Sequence, residues 1–191
     1  MVNQLRVGVT ESELMRPENE WAEVVNGVLV EIETDMMGLL HTIVIHNLYD
    51  HLKPFAKANK LGYVHGDGLK YILHVDENGI QTSRTPDLAF LRYGRRTGQL
   101  DIQSPFYGAP DLAVEVASPG QTTADMLDKA ADFLRYGTEE VWIIYPVKRE
   151  LHRYRGGEEV PEIFTDTQSF FTDFFPELPI VIADLFVVDA E

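Results

Sequence analysis

Polar and apolar positions along the chain fall into short blocks with two distinct periods. The run WAEVVNGVLVEIE places two β-rich arms around Asn26-Gly27, the strongest short hairpin signal in the sequence. Leu39, Leu40, Ile43, Val44, Asn47, Leu48 and Leu52 then recur at helical spacing, predicting a helix over residues 36–53 that ends at Pro54. Residues 62–75 read as extended chain, interrupted at Asp76-Glu77-Asn78-Gly79. Strands are expected over 83–91 and 111–117, joined by a glycine-containing connection that carries Arg92, Arg95 and Arg96. A second helical pattern covers 122–136 and meets its stop at Gly137. EVWIIYP has the compactness of a buried strand, with LHRYRG as its hairpin partner. Residues 1–18 read as an exposed lead-in, with Thr10 and Ser12 as candidate caps. Residues 157–191 are rich in Phe and Pro and read as a strap over the core, with a short turn near 183–186. Helices and strands that alternate after a hairpin predict an α/β chain: a mixed β-sheet flanked by helices, with an N-terminal β-hairpin.

Composition narrows the class. At 191 residues the expectation is a single domain over 1–191, long enough to bury its own core. Cysteine is absent, which removes disulfides, thiolate metal sites and cysteine nucleophiles together. No apolar run approaches membrane-spanning length and the first residues lack the apolar block of a signal peptide, so a cytoplasmic protein is expected. The formal net charge is −15, which opposes the basic face that DNA-binding proteins usually present. Net charge governs association over the whole surface and leaves one local site free to differ.

Two strands carry carboxylates in an otherwise apolar setting. Alternation in DLAVEVA puts Asp111, Ala113, Glu115 and Ala117 on one face, and in SRTPDLAFL Asp87 shares its face with Thr85 and Ala89. A carboxylate in mid-strand is costly unless a cation lies near it. Asp111 and Glu115 stand four positions apart, roughly 13 Å along a strand, too far to share one Mg²⁺. Asp87 on a neighbouring strand, about 5 Å away, can face Glu115. Acids each neutralised by a nearby arginine or helix terminus fit the same pattern. On the second helix Met126, Leu127, Ala130, Phe133 and Leu134 form the apolar stripe, and Lys129 sits at its edge, where it can either reach the sheet or lie along the surface. His41, His46 and His51 are five apart and share no helix face, so they make no zinc site. Ser118 lacks the G-x-S-x-G context of a nucleophile elbow.

RTPDLAFL followed by APDLAVEVASPGQTTADMLDKAADFLRYGTEEVWIIYP resembles the Uma family of putative restriction endonucleases, within the PD-(D/E)XK nuclease superfamily. The matching elements are Arg84-Thr85-Pro86-Asp87, Glu115-Val116, Ser118-Pro119, Lys129, Gly137 and Trp142. Glu23 and Gly27 match the family's glutamate-bearing hairpin, and His41 matches a histidine downstream of it. The superfamily lysine two positions after the glutamate is Ala117 here, which makes Lys129 its substitute.

The resemblance implies a restriction-endonuclease-like fold and a metal-dependent phosphodiesterase. Asp87 and Glu115 would hold Mg²⁺ or Mn²⁺ with the Val116 backbone carbonyl, and Lys129 would serve the attacking water and the transition-state charge. Glu23 and His41 would line the site. Arg92, Arg95 and Arg96 form the compact basic cluster nearest to it and are candidates for phosphate contact. DNA is the expected substrate, and a homodimer follows if two strands are cut. The alternative is a catalytically silent nuclease-like binding or assembly module.

Overall fold

The computed structural model describes residues 8–31, 38–66, 68–94 and 104–188. Asn26 and Gly27 both adopt positive φ, as a two-residue hairpin turn requires, and join β1 (Ala22–Val25) to β2 (Val28–Glu31) in antiparallel register. β1 also pairs with β5 (Gly79–Arg84), which turns back at Gly79 from β4 (Tyr71–Asp76). With β7 (Phe106–Tyr107) at its far edge, this first sheet runs β2-β1-β5-β4-β7. Residues 8–15 belong to it and are not an exposed lead-in. Val9 bridges to Ile80, and Leu14 of the one-turn α1 (Glu11–Leu14) is fully buried beside Val24 and Ile72. Thr10 caps that turn by accepting the Glu13 N–H; Ser12 lies within it.

The second sheet is the larger one. It contains β3 (Gly62–Gly66), β6 (Leu88–Arg92), β8 (Leu112–Val116), β9 (Glu140–Tyr145), β10 (Glu150–Arg155) and β11 (Glu162–Thr165), in the order β11-β10-β9-β8-β6-β3. β8 runs parallel to β9 through a crossover that includes α3 (Thr123–Arg135); its other neighbour β6 is antiparallel. Alternation along the central strands sorts the core. Leu88, Phe90, Leu112, Val114, Trp142 and Ile144 face α2 (Leu39–Ala58), while Ala89, Leu91, Ala113, Val141 and Ile143 face α3. The C-terminal segment, with β12 (Ser169–Phe170) paired to β13 (Ile180–Val181), covers the α2 side through Phe174, Phe175, Leu185 and Phe186.

Three elements differ from the pattern-based expectation. α2 continues past Pro54 to Ala58, because Leu52 and Ala56 remain buried on the sheet while the proline faces outward. The energy of that apolar stripe outweighs one missing N–H. The strand expected over 83–91 is two strands in different sheets, broken at Thr85-Pro86-Asp87, since Pro86 has no N–H for either ladder. In α3 the buried positions are Met126, Lys129, Ala130 and Phe133, and Leu127 is left 41% exposed. A lysine occupies the face that the apolar count assigned to leucine.

Candidate active site

The break between β5 and β6 delivers Asp87 to its place. In the β6–β8 ladder Leu88 pairs with Val114 and Ala89 with Ala113, so one step further Asp87 stands opposite Glu115. Its Oδ2 accepts the Val116 N–H at 2.6 Å. N–H and C=O of one strand residue point the same way, so the Val116 carbonyl also faces the Asp87 edge. Glu115 lies on the α3 side of β8 and is 2% exposed, flanked by the small Ala113 and Ala89.

α3 answers that carboxylate. Its start is fixed by a capping box in which Thr122 and Asp125 exchange hydrogen bonds. This sets the rotation that turns Lys129 into the sheet, where its Nζ donates to Glu115 Oε2 at 2.9 Å. The second oxygen, Glu115 Oε1, is buried with no hydrogen-bond partner. Burial pushes the Glu115 carboxyl up; Lys129 pulls it back, and the nearby Asp87 and Glu23 carboxylates push it further, to about 8. For Lys129 burial alone pulls downward, but Glu115 and then Glu23 outweigh it and the ammonium is held more firmly than usual.

Glu23 reaches the site from β1 already occupied. Its Oε2 accepts Arg84 Nη1 at 2.7 Å and its Oε1 the Thr85 N–H at 2.9 Å. Arg84 also donates Nε to Asp132 of α3 at 2.9 Å, tying the first sheet to the helix that carries Lys129. Arg84 and Asp132 were legible only as a motif residue and a helix polar position; nothing in either signals a partner in the other element. His41, in the first turn of α2, is 5% exposed. Its Nδ1 is 3.2 Å from Ser118 Oγ, while Nε2 is buried, without a hydrogen bond, and 3.5 Å from Asp87 Oδ1. A carboxylate on that side favours the Nε2–H tautomer, with the Ser118 hydroxyl donating to Nδ1. Ser118 thereby steadies the imidazole beside Asp87.

Asp111 and Arg92 are elsewhere. Asp111, fully buried at the other end of β8, accepts Arg92 Nε at 2.7 Å and the Arg92 N–H at 2.8 Å, and Arg92 also pairs with Glu139. Arg92 therefore neutralises carboxylates of its own chain. Arg95 and Arg96 lie outside the described residues.

The residues fit a divalent cation of the magnesium type. Mg²⁺ takes one or two carboxylates and completes its shell with water and phosphate oxygens. Asp87 and Glu115 supply hard oxygen donors on adjacent strands, and Glu115 Oε1 is a buried acceptor lacking a donor. Among the described residues no three His, Asp or Glu side chains are grouped as a metal cage.

Over residues 10–182 the chain matches the Uma2 family, described as "Putative restriction endonuclease". It is similar to the crystal structure of a putative nuclease belonging to DUF820 from Anabaena variabilis. The two are 23% identical, with 93% of this chain and 97% of that chain covered and a TM-score of 0.75. At that identity the likeness establishes a shared fold, the mixed sheet flanked by helices described above. No curated protein matches the chain. No helix among the described residues is long and apolar enough to cross a membrane.

Proposed function

The chain belongs to the Uma2 family of putative restriction endonucleases, and from that premise we propose that it is a Mg²⁺-dependent nuclease cutting phosphodiester bonds of DNA. The observation that carries the proposal is the convergence of Asp87, Glu115 and Lys129 from three separate elements, with Glu115 Oε1 buried and unpartnered. A structural ion pair alone would need neither Asp87 opposite the pair nor an acceptor left open.

Hydrolysis adds water across one P–O bond, forming a new oxygen–phosphorus bond as the leaving oxygen departs and takes a proton. Asp87 and Glu115 would hold the cation, with the Val116 carbonyl as a further oxygen. Mg²⁺ supplies Lewis-acid polarisation of the phosphoryl group and a more acidic water. Lys129 keeps Glu115 oriented and carries a fixed positive charge to within reach of the charge that develops on phosphorus oxygens. Its firmly held proton suits it to electrostatic stabilisation over proton abstraction. His41, backed by Ser118, limits the swing of Asp87. Nicking of supercoiled plasmid with Mn²⁺ or Mg²⁺ tests the reading: activity in the wild type and its loss in Glu115→Gln support it, and an inert wild type overturns it.

A second reading, a silent nuclease-like module, is favoured by the net charge of −15 and by the self-neutralised Arg92. It expects metal binding without cleavage.

A further inference from the structure

The −15 charge is not evenly spread. From residue 51 to residue 66 the sequence HLKPFAKANKLGYVHG contains three lysines and no Asp or Glu. Lys53, Lys57 and Lys60 are exposed; Lys53 and Lys57 stand four residues apart on one side of the C-terminal end of α2, and Lys60 follows just past its end. Among the described residues none pairs with a carboxylate; Lys53 turns to Tyr49, over whose ring its Nζ lies and to whose hydroxyl it donates. The described strand arginines Arg84, Arg92, Arg153 and Arg155, and Arg149 in the turn before β10, are by contrast each held by an acid of this chain. Among the described residues these lysines thus form a cluster of cations left free for an outside anion.

Two further observations fall on the same spot. Among the described residues β3 is the edge strand of the second sheet, and three positions after Lys60 it presents Tyr63, 52% exposed, in edge contact with Tyr93, 47% exposed, at 4.8 Å. Tyr hydroxyls are phosphate donors. Lys60 holds a φ of +54°, the left-handed position after a helix that glycine fills without strain. A lysine there carries backbone strain that a glycine would not.

We propose that Lys53, Lys57, Lys60, Tyr63 and Tyr93 form a contact site for the phosphate backbone of double-stranded DNA, remote from the cleavage site. The identity of the polyanion rests on the nuclease reading. Lys53 to Lys57 spans about 6 Å along the helix, or roughly two base-pair steps, with Lys60 just past its end. Asp87 and Tyr93 bracket β6, about 20 Å apart, so a duplex lying along the β3–β6 edge meets the lysines about six base pairs from the bond at Asp87 and Glu115. Such an arrangement lets an acidic protein bind DNA through one end and present carboxylates at the other.

The experiment is fluorescence anisotropy of a labelled 20-base-pair duplex in EDTA, at several salt concentrations. The variants are wild type, Lys53→Glu/Lys57→Glu/Lys60→Glu, Lys60→Gly, Tyr63→Ala/Tyr93→Ala, and a control, Arg135→Glu/Lys148→Glu, which reverses two exposed cations elsewhere. The triple variant is expected to weaken binding at least tenfold and to lower the salt slope by about three, and the control to change neither by more than half as much. Lys60→Gly should raise Tm while weakening binding, and the tyrosine pair should weaken binding with the charge unchanged. Equal loss in the control overturns the site in favour of a net-charge effect. Unchanged binding in the triple variant, or no duplex binding by the wild type, also overturns it. Mn²⁺ calorimetry separates this from the nuclease reading: the triple variant keeps wild-type metal binding, and failure of metal binding in the wild type sinks the nuclease site without touching the lysine dependence.

Discussion

Lys129 of α3 donates its ammonium to Glu115 of β8 at 2.9 Å, although fourteen residues and a change of element separate them. The contact satisfies one carboxylate oxygen and leaves the other buried and open. Asp87 lies across the ladder from that acid, and Glu23, already held by Arg84, adds a third carboxylate to the field. Arg84 is shared between Glu23 and Asp132, so Asp87 and Glu115 face the single ammonium of Lys129, a donor pair whose full ionisation a divalent cation would offset.

Metal binding should follow from that imbalance. Mn²⁺ titrated into the wild type should give saturable heat, and Glu115→Gln should weaken binding by about tenfold or more, ~1.4 kcal/mol. Superimposable isotherms would remove Glu115 from the site.

Lys129→Ala should separate binding from chemistry. An ammonium is no ligand, so Mn²⁺ affinity stays within a few-fold while plasmid nicking falls by about a hundredfold, ~3 kcal/mol of transition-state stabilisation. Adding Ala117→Lys restores the superfamily spacing and is expected to recover part of the rate. Wild-type nicking by Lys129→Ala would return this lysine to a purely structural role.

Stability without metal should fall as pH rises. The folded-state Glu115 carboxyl sits near 8, above its unfolded value of 4.5, so between these values the folded chain holds a proton that the unfolded chain releases. Its contribution is complete below about 4.5 and lost by the time pH passes 8. Urea unfolding in EDTA should therefore show the stability of wild type relative to Glu115→Gln declining between pH 5 and 8, by at most about 1.4 kcal/mol per unit. A difference that rises with pH would contradict the assignment.

Arg84→Ala should destabilise the fold by roughly 3–5 kcal/mol, because it strands Glu23 at 2% exposure without its cation. Replacing both as Arg84→Met/Glu23→Leu should recover most of that loss. A mild effect of the single change, read from urea midpoints at constant m, would mean that Glu23 finds another partner.

Ser118→Ala should slow nicking by altering the imidazole that borders Asp87, and His41→Ala should slow it at least as much. If both variants shift Tm and leave nicking at wild-type rates, the pair is packing alone.

Local signals carried much of the architecture. Asn26-Gly27 marked the hairpin because two positive φ values are needed there, and the Thr122 to Gly137 frame marked α3 through its cap and its stop. The alternation in LAVEV put Glu115 on a defined face. Asp87 was readable as an acid placed to face it, because strand spacing excluded Asp111 on arithmetic alone.

What local pattern does not contain is partnership. Pro54 is a helix breaker by rule, yet burial of Leu52 and Ala56 against the sheet carried α2 past it. Leu127 is exposed against expectation, and of the two courses open to Lys129 at the stripe's edge the buried one is taken because Glu115, on another element, makes burial of a lysine favourable. Arg92 reads as a free cation in a glycine-containing connection, and only the fold brings Asp111 and Glu139 to neutralise it. The spacing of residues determined which faces the acids occupy; which cation each acid meets was decided by the packing of sheet on helix, since a charge pair forms through space and leaves no period in the chain.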